Sequence, residues 1–136
     1  MARHVLTVAL GLLLVAGAGC GKHKYSAGDL ELELTRYHTN LRWDRLGVAA
    51  QHVHPELQHA FAVEWQKRSE LVQLQLVEVV HTTFPDEDTA LVQVKVEYFT
   101  KRTMRLKKTV IEEKWVRTEH GWFLMSVPEI PPPDEQ

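Results

Sequence analysis

The sequence predicts an α+β domain, with N-terminal helices packed on a curved four-stranded antiparallel sheet. Three observations lead there. Apolar residues recur three or four apart in the first half of the chain, which is helical spacing, and alternate beyond about residue 70, which is strand spacing. The alternating half holds four runs separated by turn signals, with no helical stretch between them. Strands joined in this way pair as an antiparallel meander, and the helices then cover one face.

In the first helix Asp29 is the expected cap, and Leu30, Leu34, Tyr37 and Leu41 form one apolar stripe, with Leu32 outside it. Glu31 and Glu33 sit near the N-terminal end, where the helix dipole favours negative charge. A second segment starts within residues 40–44 and takes Trp43, Leu46, Val48, Ala49, Val53 and Leu57 as apolar anchors. Pro55 interrupts it. A residue before proline leans away from helical angles, whereas proline itself suits a first helical turn. The third helix is therefore expected over residues 55–69, with Leu57, Phe61, Glu64 or Trp65, and Arg68 on its face. The last two segments are either separate or merged with a kink.

LVQLQLVEVVHTT (71–83) begins with strict alternation and slips phase after Leu76, which predicts a bulge near that residue. FPDEDT is a polar turn. ALVQVKVEYFTK (90–101) is the clearest strand, with Ala90, Val92, Val94, Val96 and Tyr98 on one face and Gln93, Lys95 and Glu97 on the other. TVIEEKWVRTE (109–119) is a third strand, and His120-Gly121 turns it into GWFLMSVP (121–128). Trp65, Trp115, Trp122 and Phe123 supply bulk to the core.

Ahead of these elements, Arg3 and His4 precede an apolar run from Val5 to Val15, then AGAG and the only cysteine, Cys20. A positive start, an apolar run and small residues describe a secretory signal. The run is well short of the ~20 residues that span a bilayer. With the cysteine placed directly after the small residues, the segment resembles a bacterial lipoprotein signal. Gly17 departs from the aliphatic residue usual three positions before the cysteine, while Ala18 and Gly19 fit. The resemblance implies cleavage before Cys20 and acylation of its thiol with chains such as palmitate. Gly21, where an Asp retention signal would stand, implies a cell-envelope protein on the outer membrane, facing the periplasm. The expected organisation is a signal over 1–19, a polar tether over 20–28, one domain over 29–128 and a Pro-rich acidic tail over 129–136.

The chain carries 16 basic and 18 acidic residues, a formal charge of −2, which gives no reason to expect a nucleic-acid partner. A single cysteine cannot form an intrachain disulfide. Phosphate loops of the GxxxxGK[ST] or GxGxxG kind are absent, so no cofactor is implied. Two stretches, LRWDRLGVAAQHVHPELQHAF (41–61) and EEKWVRTEHGWFLMS (112–126), are similar to parts of the nuclear-transport-factor-2-like superfamily, which includes polyketide-cyclase-like and bacterial lipoprotein domains. The resemblance implies helices lying across a strongly curved sheet that forms a cone. It leaves little room for that superfamily's extra short strand and later helix. It also implies that a homodimer through the outer sheet face is open to the fold, where Gln73, Gln75, Gln93, Lys95 and Glu97 stand.

Fold alone does not settle function. A metal site needs three or four converging ligands. His52, Glu56 and His59 have suggestive spacing, but Pro55 breaks the helical face between them. Tyr37, His38, His81, Glu97, Tyr98 and Glu78 are candidates to line a pocket as acid or base. Of the adjacent Glu112 and Glu113, at most one can face inward. None of these earns a catalytic assignment from sequence. KRTMRLKK concentrates Lys101, Arg102, Arg105, Lys107 and Lys108 around one turn, where they suit an anionic surface or partner or protect a sheet edge. The expected function is a membrane-tethered envelope lipoprotein with a non-catalytic binding or assembly domain and an envelope-protein partner. The alternative is an isomerase- or cyclase-like enzyme, or a carrier, acting on a small hydrophobic molecule.

Overall fold

The structure, a computed structural model, describes residues 25–127 and Ile130. Cys20 and the signal-like run lie outside the described residues. Helix α1 spans Ala27–Arg42. Ser26, not Asp29, is its cap. The Ser26 hydroxyl accepts from the Asp29 amide at 3.3 Å, and the Asp29 carboxylate accepts from the Ser26 amide at 2.6 Å. This reciprocal box explains why the helix starts ahead of Asp29. The predicted stripe is buried, and His38 lies on it as well, while Leu32 is exposed.

Pro55 separates the remaining helices. Helix α2 (Leu46–Ala49) runs into a 3-10 turn at Ala50–His52, a second turn covers Pro55–Leu57, and α3 covers Gln58–Leu71. His54, held extended ahead of the proline, ends the first piece. Helix α3 buries Phe61 and Trp65, two of its predicted face residues.

The sheet has the order β1-β2-β3-β4, built from Val72–Asp86, Thr89–Thr100, Leu106–Thr118 and Gly121–Leu124, all antiparallel. Strand β3 begins before Thr109, and β4 ends at Leu124, short of Pro128. Central strand β2 buries Ala90, Val92, Val94, Val96 and Tyr98. Facing them on β3 are Trp115, Glu113 and Ile111. The register of β1 against β2 slips between Leu74 and Leu76, as the phase change predicts, and again between Val79 and His81 and between Thr83 and Asp86. Each slip bends the strand and adds twist, which opens the sheet into a curved, half-closed cone. Gly121 takes φ +126°, an angle that a side chain disfavours, and closes the β3–β4 turn.

The chain enters beside that turn. The Arg117 guanidinium donates to the Tyr25 carbonyl at 3.1 Å, and the Trp122 indole donates to the Ser26 carbonyl at 3.0 Å. At the other end of the sequence, Ile130 is fully buried in the same core.

Candidate functional site

The centre of the cone is filled. Tyr37, Phe61, Trp65, Tyr98 and Trp115 are all buried there. Tyr37 packs edge-on against Trp115, with ring centroids 5.6 Å apart, and lies 6.2 Å from Phe61. Open space remains at the side, between α1 and the outer half of β1, as a cleft of about 660 Å³. Its walls include Leu30, Leu34 and His38 of α1 and Val77, Val79 and Phe84 of β1. Their placement follows from the register. The first bulge shifts phase so that Val77 faces Val96 and Val79 faces Val94, on the core side. Helix α1 covers the sheet but does not reach across the end of this long edge strand, so Val79 and Phe84 stay 38% and 46% exposed. Trp43 stands 61% exposed at the far end of the cleft, with the Arg42 guanidinium 5.3 Å above its ring.

Beneath the cleft lies a buried histidine–glutamate pair. His38 Nε2 is 2.9 Å and 3.0 Å from the two Glu113 carboxylate oxygens, and the Trp115 indole donates to Glu113 at 3.1 Å. The side chains of His38 and Glu113 are only 7% and 3% exposed. A charge this deep is held only when paired and hydrogen-bonded. Tyr37 is the next neighbour, its ring centroid 5.3 Å from that of His38. Burial first, and then the Glu113 carboxylate, push the Tyr37 hydroxyl well above its usual pKa. The neutral form is favoured, and its oxygen has no hydrogen-bond partner among the described residues. The arrangement fixes His38 against Glu113 and places His38 in the cleft wall.

The structure sorts the other candidates. His81 pairs across from Gln93 and is exposed on the outer face. Glu78 also points outward, opposite Lys95, and only borders the cleft. Glu97 is on the outer face too, within 3.6 Å of Lys95 and 3.3 Å of Lys108. Tyr98 is inside the filled core rather than a pocket. Of the adjacent glutamates, Glu113 is buried and Glu112 exposed. His52 bonds to Glu33 at 2.6 Å, His54 accepts the Glu56 amide, and His59 is exposed. Among the described residues no three His, Cys, Asp or Glu side chains converge as a metal site would require.

The basic cluster is dispersed in its engagements. Lys101 Nζ donates to the Ser69 carbonyl at 2.6 Å, and Lys108 pairs with Glu97. Sequence reasoning missed the wall formed by Val77, Val79, Phe84 and Trp43, and missed the union of His38 with Glu113 across 75 positions. The signal that was present is phase. His38 follows Leu34 by one helical turn, and Glu113 alternates in step with Ile111 and Trp115.

No family model matches the chain, and no curated protein does either. Solved structures match in shape. A SEC-C motif containing protein from Rhodopseudomonas palustris superposes with a TM-score of 0.60 at 8% identity, covering 71% of this chain and 74% of that one. A ketosteroid isomerase-like protein from Erwinia carotovora atroseptica gives 0.56 at 15% identity over 71% and 88% of the two chains. A SEC-C motif containing protein from Psychrobacter arcticus gives 0.56 at 15% identity over 74% and 63%. At these identities the likeness is one of fold alone, helices lying across a curved antiparallel sheet.

Proposed function

We propose that the chain is a lipid-anchored cell-envelope protein, held through Cys20 on the outer membrane and facing the periplasm, whose domain binds an apolar group in the α1–β1 cleft without transforming it. The observation that carries the binding function is the wall of Trp43, Val79 and Phe84, apolar side chains left exposed around a cleft of about 660 Å³. That volume lies within the range of small-molecule sites, which are typically ~300–1,000 Å³. It also suits the apolar side chains of an envelope-protein partner. A non-catalytic role is supported by the filled cone and by the outward aim of Glu78 and His81. The enzyme alternative draws on one observation, the edge of His38 in the cleft wall with Glu113 fixed behind it.

Titration of the domain with an environment-sensitive apolar dye tests the binding function. Saturable binding is expected. Phe84→Asp should weaken it at least ~tenfold, because burying such a side chain contributes about 1.5–3 kcal/mol. Its exposed position should leave stability within ~0.5 kcal/mol. Binding that ignores Phe84→Asp and Val79→Asp would remove the cleft from consideration. Turnover of a bound molecule that stops in His38→Gln would favour the enzyme alternative. The anchor is tested separately: the intact mass of the mature protein should show an acylated Cys20, and Cys20→Ala should stay uncleaved.

A further inference from the structure

We propose that the β2–β3 turn is a docking tip for an anionic lipid bilayer, at the pole of the domain opposite the point where the tether enters. The two poles are fixed by contacts. Tyr25 and Ser26 are tied to Arg117 and Trp122, beside the β3–β4 turn. Asp88 joins them there by accepting from the same Arg117 guanidinium, so the acidic β1–β2 turn shares this pole. The β2–β3 turn lies at the other end of β3. It also lies by the far end of α1, where Lys101 borders a hollow with Arg42 and Trp43. A 16-residue helix separates these ends by about 24 Å at 1.5 Å per residue. Acidic turn and basic turn therefore face opposite ways, which the near-neutral total charge conceals.

The tip is built rather than loose. The Thr100 amide donates to the Arg105 carbonyl at 3.1 Å, the Met104 amide donates to the Thr100 carbonyl at 2.7 Å, and the Lys101 amide reaches the Leu71 carbonyl at 2.9 Å. Arg102 and Arg105 are exposed and make no ion pair among the described residues. Between them Met104 is 67% exposed and takes φ 53°, in the left-handed region. Glycine or asparagine is the ordinary occupant of that conformation, so a long apolar residue there is held against backbone preference. Leu106 and Leu71 beside it are each about half exposed. Free cations around a presented thioether match a surface of anionic headgroups over an apolar interior. A soluble acidic partner would use the cations and have no need of Met104.

The bilayer contact stands without the anchor; only its consequence for orientation rests on the anchored reading. A domain held by its tether at one pole and by Met104 at the other would lie along the membrane. Co-sedimentation with vesicles tests the contact, using residues 25–136. This fragment holds the core of the described residues, from Leu30 to Ile130, and includes Ser26, the cap of α1. Phosphatidylglycerol-containing vesicles should carry the domain down at low salt, less at high salt, and zwitterionic vesicles should not. Each basic residue near an anionic surface changes partitioning roughly fivefold. Arg102→Glu with Arg105→Glu should therefore reduce binding at least ~tenfold. Met104→Gly should reduce it several-fold while leaving the unfolding midpoint unchanged or higher, because it relieves the backbone. Equal sedimentation with and without vesicles, indifference to both variants, or full competition by a soluble polyanion with no effect of Met104→Gly would each overturn the proposal. An unmodified Cys20 in the mature protein would remove the anchor and leave this result untouched.

Discussion

Two histidine–glutamate pairs tie α1 to the rest of the molecule, and their surroundings differ. His38 and Glu113 are 7% and 3% exposed, and the Trp115 indole donates to the same carboxylate. His52 and Glu33 meet at 2.6 Å with side chains 14% and 26% exposed, the His52 ring lying edge-on to the other side of Tyr37 at 6.5 Å. The chemistry is the same and the distances are similar. Water separates their energetic roles. The outer pair keeps part of its contact with water, so losing one partner leaves the other less stranded. The inner pair has no such contact, so each partner is indispensable to the other once buried.

This contrast can be broken by mutation. Glu113→Ala strands both His38 and the Trp115 indole in the interior and should cost about 3–5 kcal/mol by urea unfolding. A loss no greater than that of Glu33→Ala would make the two pairs equivalent. Tyr37, against the inner pair, sharpens the contrast at high pH. Its folded pKa is raised above the usual 10.0, so the neutral form is favoured in the fold. Below pH 10.0 that preference has no effect, because Tyr37 is neutral in folded and unfolded chains alike. Above it the unfolded chain ionises first, and stability falls as pH rises by up to ~1.4 kcal/mol per pH unit. Tyr37→Phe should flatten that alkaline slope. An unchanged slope would show that Tyr37 ionises freely in the fold. His52→Ala should be the mildest, at most ~1 kcal/mol at neutral pH. A larger loss would mean that the outer pair is shielded from water.

The same contrast explains what was legible in the sequence. Strand β2 was readable in full because it has a neighbour on each side and a core on one face, so alternation is enforced from Ala90 to Tyr98. The α1 stripe was readable for a similar reason. Edge strand β1 was readable only to its first slip. Beyond Val79 its side chains are exposed apart from the half-buried Thr82, and residues that serve no common face carry no common period. The cleft is made of that unconstrained stretch, so its walls were illegible. The inner pair was half visible. Each partner sat on the correct periodic face, but the pairing joins positions 75 apart, and periodicity is a local property. The N-cap was missed because Ser26 and Asp29 share the work, and the acid is the more conspicuous of the two.

The fastening of Ser26 by Trp122 also sets a timetable for folding. The two residues are 96 positions apart, and the bond between them closes the first helix against the last hairpin. Helix α1 can form locally as soon as its residues are free, but it gains its final seat only when β4 is in place. Contacts of such long separation are slow to form, since the chain between them must be ordered first. A chain emerging residue by residue during synthesis would therefore hold its domain open until β4 has appeared. Helix α1, made early, waits for β4, made late, before its N-terminal end is fastened.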